Sequence, residues 1–358
     1  MCRRPGFGKK EKWTSKTWRW VEKNKLNLTT INKRRAIMND LSASSSLSAL
    51  FQADAISPQT NAVYEALAAK LASLTPPEDI LALRIAYTNG DLGLPASPKS
   101  PHAREIIIDG PAGPLSLRVL VPEQIRGVYL HFHGGGWMFG SNDTWDEQFE
   151  VFGRVAGMVC VSVNYRLAPE HVFPAAIDDC LTTACWLIEH AQDEFGTSWL
   201  SMGGESAGAH LAASTLIRLR DMGLAGKFSA ANMLFGFFDL SLTPSARAAS
   251  GTHFVDRAGL AKFVQAFAGD FDLRHPNVSP LYSDLRRLPP ALFTVGSIDP
   301  LLDDSLFMHM RWQAAANQSE LSVYPGGTHG FNSLDSDIAR SANQAMAWYL
   351  SRVESESH

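Results

Sequence analysis

From Gly127 onward the chain alternates short, almost wholly apolar runs with longer amphipathic ones. "GVYLHFH" and "MVCVSVNY" are apolar at nearly every position, as strands covered on both faces are. "PAAIDDCLTTACWLIEHA" and "SAGAHLAASTLIRLR" instead repeat apolar residues at helical spacing. "WLSMGG", "ANMLFGFF", "PALFTVG" and "ELSVYPG" continue the strand series, with helices expected over about 302–317 and 335–352. Alternation of this kind predicts an α/β fold, a mainly parallel central sheet flanked by helices. Just upstream, "REIIIDG" and "LSLRVLVP" are β-rich runs separated by "PAGP", the pattern of a hairpin.

Two regions depart from this rhythm. Residues 57–74 begin with Ser-Pro and carry Val63, Leu67, Leu71 and Leu74 at helical spacing, until "TPPED" ends the helix. A Gly-, Pro- and Ser-rich stretch over 88–101 then reads as a linker. Later, the long interval between "FGFFDL" and "LPPALFTVG" exceeds a simple crossover. Residues 241–276 are therefore expected to be an insertion carrying a helix, and with the N-terminal helices it would cap the mouth of the sheet. The division expected is 1–37 as a basic extension, 38–100 as cap helices and linker, and 101–358 as the main domain.

Charge sharpens the reading of the N-terminus. Residues 1–37 hold twelve Lys and Arg against Glu11 and Glu22, while the whole chain has a net charge of −4. The body is therefore acidic, which argues against a nucleic-acid surface. The extension also carries three of the nine tryptophans, so a basic arm for nucleic acid or a membrane surface is one reading. The favoured reading is sequence outside the functional fold, because Met38 opens a stretch whose composition matches the body. The four cysteines fit neither a disulfide framework nor a zinc pattern and read as apolar thiols. With no long apolar span and no secretory leader pattern, no membrane insertion is expected, and a reducing cytoplasm is the default.

The candidate chemistry lies at strand ends. Gly204-Glu205-Ser206-Ala207-Gly208 follows a strand and opens a helix, which is the setting of a nucleophilic serine in G-x-S-x-G. Serine is also a common helix N-cap. A nucleophilic serine needs a base and an acid, in the order Ser, Asp, His. Asp299 follows the strand "ALFTVG", and His329 follows "LSVYPG" in a glycine-flanked loop. Asp303 and Asp304 are rival acids, but both fall in a helical first turn, where acids have a dipole explanation. His210 lies too close to Ser206 in sequence to serve as a separately delivered base. "HFHGGGWMFG" presents Gly134, Gly135 and Gly136 after a strand, so their N–H groups could join that of Ala207 around an oxyanion. His131 and His133 suggest a metal pair, yet no further ligands match, and no metal is expected. Trp137, Phe139 and Glu205 are pocket candidates, and Arg166 and Glu170 read as ions bracing loops.

Taken together, "HGGGW", "YRLAPEHVFPAAIDD", "GESAG", "DPLLDD" and "HGF" resemble the hormone-sensitive-lipase-like branch of the α/β-hydrolases, the family IV esterases. The resemblance spans about residues 57–350. It implies the α/β-hydrolase fold with a helical cap and a Ser206–Asp299–His329 triad. The oxyanion hole would come from Gly134, Gly135 or Gly136 with Ala207. It implies no cofactor, and hydrolysis of small-molecule esters with short to medium acyl chains. Glu205 departs from the Asp or Thr more common before the nucleophile. The same triad also serves amide, lactone or thioester hydrolysis, and a non-catalytic ligand-binding relative is a further alternative. A homodimer is compatible with the sequence.

Overall fold

The computed structural model describes residues 47–250 and 255–356. The basic extension over 1–37 lies outside the described residues. Contacts divide the chain at Ala49/Leu50, and everything below belongs to the second unit.

Eight strands form one sheet: β1 (Arg104–Gly110), β2 (Gly113–Leu120), β3 (Gly127–Phe132), β4 (Met158–Val163), β5 (Leu200–Glu205), β6 (Phe228–Leu234), β7 (Ala291–Gly296) and β8 (Ser319–Tyr324). Their order is β1-β2-β4-β3-β5-β6-β7-β8. The predicted hairpin pairs β1 with β2, β2 runs antiparallel to β4, and every other pairing is parallel. Period-two alternation explains why the central strands read as continuous apolar runs. Val128, Leu130, Phe132, Val159, Val161 and Val163 enter the core on one face, and Tyr129, Met158 and Cys160 enter the core on the other.

Each face is closed by helices. Helices Ala175–Phe195 and Ala207–Asp221 bury Ile177, Leu187, Leu211 and Leu216 on the first face. Helices Asp146–Ala156 and Asp337–Glu356 bury Phe149, Phe152, Met346 and Leu350 on the second. The helix expected over 302–317 stops earlier, at Leu302–Ala314, because Ala316 turns left-handed at φ 63°.

Upstream of the sheet lie two helices, Pro58–Ala72 and Ile80–Asn89. Ser57 caps the first by accepting the Thr60 N–H, with Pro58 at its first position, as Ser-Pro predicts. The long interval between β6 and β7 carries helices Pro244–Ala248 and Arg257–Ala268.

Candidate active site

Ser206 occupies the turn between β5 and helix Ala207–Asp221, with φ 56° and ψ −118°. This left-handed backbone is strained for a residue with a Cβ and persists only where the surroundings impose it. The surroundings here are very close. A Cβ on Gly208 would lie 1.8 Å from the Phe132 carbonyl oxygen, and one on Gly204 would lie 2.2 Å from the same atom. The Ser206 N–H donates to the Leu234 carbonyl at 2.9 Å, and its hydroxyl makes no cap bond to the helix. That hydroxyl lies instead 2.9 Å from His329 Nε2.

His329 and Asp299 meet it from the ends of two later strands. Imidazole Nδ1 is 3.1 Å from each oxygen of Asp299, whose Oδ1 also accepts the Leu301 N–H at 2.7 Å. With Nδ1–H donated to the carboxylate, Nε2 is the acceptor facing Ser206. The rival acids are committed elsewhere. Asp304 takes the N–H groups of Phe238 and Asp239 and the Thr243 hydroxyl, while Asp303 takes the Ser245 N–H. Both pin the start of the segment between β6 and β7. His210 is buried, with Nε2 2.8 Å from the Val278 carbonyl, and burial pushes its pKa down to about 4.

The glycine loop corrects two expectations. Gly134 donates its N–H to Glu205 Oε1, so it has no N–H left to offer an oxyanion. Among the described residues, the N–H groups of Gly135, Gly136 and Ala207 have no acceptor. Trp137 does not reach the cavity. It is fully buried, stacked on Phe267 at 4.4 Å and edge-on to His210 at 5.0 Å. Its backbone turns left-handed at φ 59°, and its ring enters the main core, while Phe139 lines the pocket. The histidine pair is held apart by its neighbours. His131 bonds Glu205 and Ser162, whereas His133 Nδ1 lies 2.8 Å from the Gly134 carbonyl. Burial pushes His133 down to about 3, which keeps it neutral and donating.

Ser206, His329, Glu205, the three glycines and Phe139 open onto one cavity of about 1210 Å³. Leu71, Leu74, Leu83 and Tyr87 of the N-terminal segment line it, as do Val255 and Phe263 between β6 and β7. The rest of its wall is mixed, with Gln148, Arg154, Asn343 and Gln344 beside Trp145, Val151 and Leu334.

Two supports escaped sequence reasoning. Tyr64 accepts the Thr328 N–H beside His329, and Arg84 donates to the carbonyls of Met138 and Ala168 and to Glu170. Neither sits in a motif, and only the tertiary fold brings them to the loops. Arg166 braces its loop through a two-pronged pair with Asp179, Nε on one oxygen and Nη2 on the other.

The profile of the α/β-hydrolase fold family matches residues 129–333. Esterase LipI of Mycobacterium tuberculosis is 36% identical over 230 residues, covering 60% of this chain and 70% of that protein. An acetyl esterase of Salmonella paratyphi B is 30% identical over 246 residues, 66% of this chain and 75% of that protein. A crystal structure of a hormone-sensitive lipase from a metagenome library superimposes with a TM-score of 0.72 at 25% identity, covering 82% of this chain and 98% of the other. A mainly parallel sheet whose strand ends carry Ser206, Asp299 and His329, together with a family match over more than half of the chain, makes the chain a member of the α/β-hydrolase family, on its hormone-sensitive-lipase-like branch.

Proposed function

We propose that this chain hydrolyses carboxylic esters of short to medium acyl chains through Ser206, His329 and Asp299. The observation that carries the proposal is the 2.9 Å approach of His329 Nε2 to Ser206 Oγ, with Asp299 on the far side of the imidazole. As Ser206 attacks the ester carbonyl, His329 takes its proton, and Asp299 holds the ring and stabilises the imidazolium. The negative charge on the tetrahedral oxygen is met by the N–H groups of Gly135, Gly136 and Ala207, at the positive end of helix Ala207–Asp221. His329 then gives its proton to the leaving alcohol. The freed imidazole then takes a proton from water as it attacks the acyl carbon, and returns that proton to Ser206 Oγ as the acid leaves, restoring the starting hydroxyl.

The names of the relatives, an esterase and an acetyl esterase, support the reaction class. The apolar side of the cavity supports the acyl assignment. There the N-terminal helices and the β6–β7 insertion act as a cap, excluding water from the reacting carbonyl. A panel of p-nitrophenyl esters from C2 to C12, run on wild type and Ser206→Ala, tests this. Turnover should peak between C2 and C8 and vanish in the variant, with folding retained. A peak at longer chains overturns the acyl assignment. Turnover confined to amides, lactones or thioesters overturns the ester assignment, and no labelling of Ser206 by a phosphonate overturns catalysis.

A further inference from the structure

Glu205 is the residue of the Ser206 turn that this reaction leaves without a task. Its carboxylate is nearly buried and carries two bonds. One oxygen lies 2.8 Å from His131 Nε2, and the other accepts the Gly134 N–H. His131 is itself fixed on every side. It is fully buried, with Nδ1 3.1 Å from the Ser162 hydroxyl, its ring stacked on Trp145 at 4.8 Å and edge-on to Phe149 at 5.0 Å. A continuous chain of bonds therefore runs from Ser162 on β4, through His131 on β3, to Glu205 at the end of β5, and out to the first N–H of the glycine loop.

An oxyanion hole works because its donors are aimed before charge develops. Three consecutive glycines are poorly suited to that on their own, since glycine has the most backbone freedom to lose. A hydrogen bond to a carboxylate is among the stronger ones available. Placed on Gly134, it sets the first peptide plane of the loop and so the direction of the N–H groups that follow. The anchor is also the residue covalently attached to Ser206, so one side chain sets the donor loop relative to the nucleophile. A buried carboxylate requires a partner of its own, and His131 supplies it.

We infer that Glu205, held by His131, is a positioning residue for the oxyanion hole, acting through Gly134 rather than on the substrate. The inference rests on the ester-hydrolase reading of the same site.

The test compares wild type, Glu205→Ala and Glu205→Gln with p-nitrophenyl butyrate, with a trifluoromethyl ketone that adds to Ser206 as a tetrahedral oxyanion, and by thermal melting. Removing one oxyanion donor typically costs about 10²–10³ in kcat, and misaiming donors costs less. Glu205→Ala should lower kcat roughly 10- to 100-fold with KM within about threefold, and weaken the ketone by the same factor. Glu205→Gln, whose amide oxygen still accepts the Gly134 N–H, should fall between the two. A folded Glu205→Ala enzyme with wild-type kcat, or one that loses kcat but keeps its ketone affinity, overturns the inference. If Glu205→Ala does not fold, His131→Phe replaces it, keeping an aromatic ring and removing the partner of Glu205. Parallel losses of kcat and ketone affinity then support the inference, and unchanged values overturn it. A wild-type protein that neither turns over esters nor is labelled at Ser206 by a phosphonate brings down the ester-hydrolase reading itself, and this inference with it.

Discussion

The hydroxyl of Tyr64, on helix Pro58–Ala72, accepts the backbone N–H of Thr328 at 3.1 Å, one residue before His329. An upstream helix thus supports the loop that carries His329. Thr328 is buried, and a buried N–H left without a partner costs about 1–3 kcal/mol. Tyr64→Phe should therefore lower Tm by a few degrees and kcat by roughly three- to tenfold, as the His329 loop loosens. Steady-state kinetics beside a melting curve would check this, and unchanged values for both would remove the helix from the positioning of His329.

Arg84 ties the second upstream helix to the glycine loop. Its guanidinium donates to the Met138 carbonyl at 2.8 Å and to the Ala168 carbonyl at 3.0 Å, and it pairs with exposed Glu170. Arg84→Met keeps the stem and loses every donor, so KM for a butyrate ester should rise about three- to tenfold, more than kcat falls. Glu170→Gln removes only an exposed pair, of the kind contributing at most about 1 kcal/mol, and should leave KM within about twofold. Equal effects of the two substitutions would mean that the carbonyl contacts do not matter.

In the proposed reaction Asp299, and not Asp303, is the acid that orients the imidazole of His329. Asp299→Asn keeps the shape but favours the wrong imidazole tautomer, with an expected loss of roughly 10³–10⁴ in kcat. Asp303 holds the Ser245 N–H, so Asp303→Asn should stay within a few-fold of wild type. The reverse ranking would reassign the acid.

Asp304 gives the fold a pH dependence. Burial pushes its carboxyl up to about 8, outweighing the hydrogen bonds from Thr243, Asp239 and Phe238 that oppose the shift. Unfolded, it ionises near the ordinary value of about 4. Between these values the folded protein holds a proton that the unfolded chain has released. The contribution of Asp304 is therefore complete below about pH 4, declines as the pH rises, and is lost above about 8. Asp304→Asn stays neutral throughout, so its Tm measured against wild type should climb steadily from pH 5 to pH 8. A difference that does not change with pH would mean that Asp304 is ionised in the fold.

Much of the architecture was legible because local sequence and burial agree. β3 and β4 are covered on both faces, so their composition alone marks them as interior parallel strands. The Ser206 turn was legible for a similar reason, since Gly204 and Gly208 stand where the Phe132 carbonyl admits no Cβ. Trp137 and Gly134 were not legible in this way. An aromatic beside a glycine loop reads the same whether it faces a cavity or a core, and a backbone N–H carries no sequence mark of its acceptor.

What the sequence determined by itself was the alternation of strands and helices and the order of serine, acid and histidine at strand ends, because periodicity and turn chemistry are properties of neighbouring residues. The tertiary structure decided which atoms meet. It gave Gly134 to Glu205, the His329 loop to Tyr64, and Asp304 to the segment after β6 instead of to His329. These bonds join residues tens to hundreds of positions apart, and their partners become defined only when the sheet brings its strand ends together.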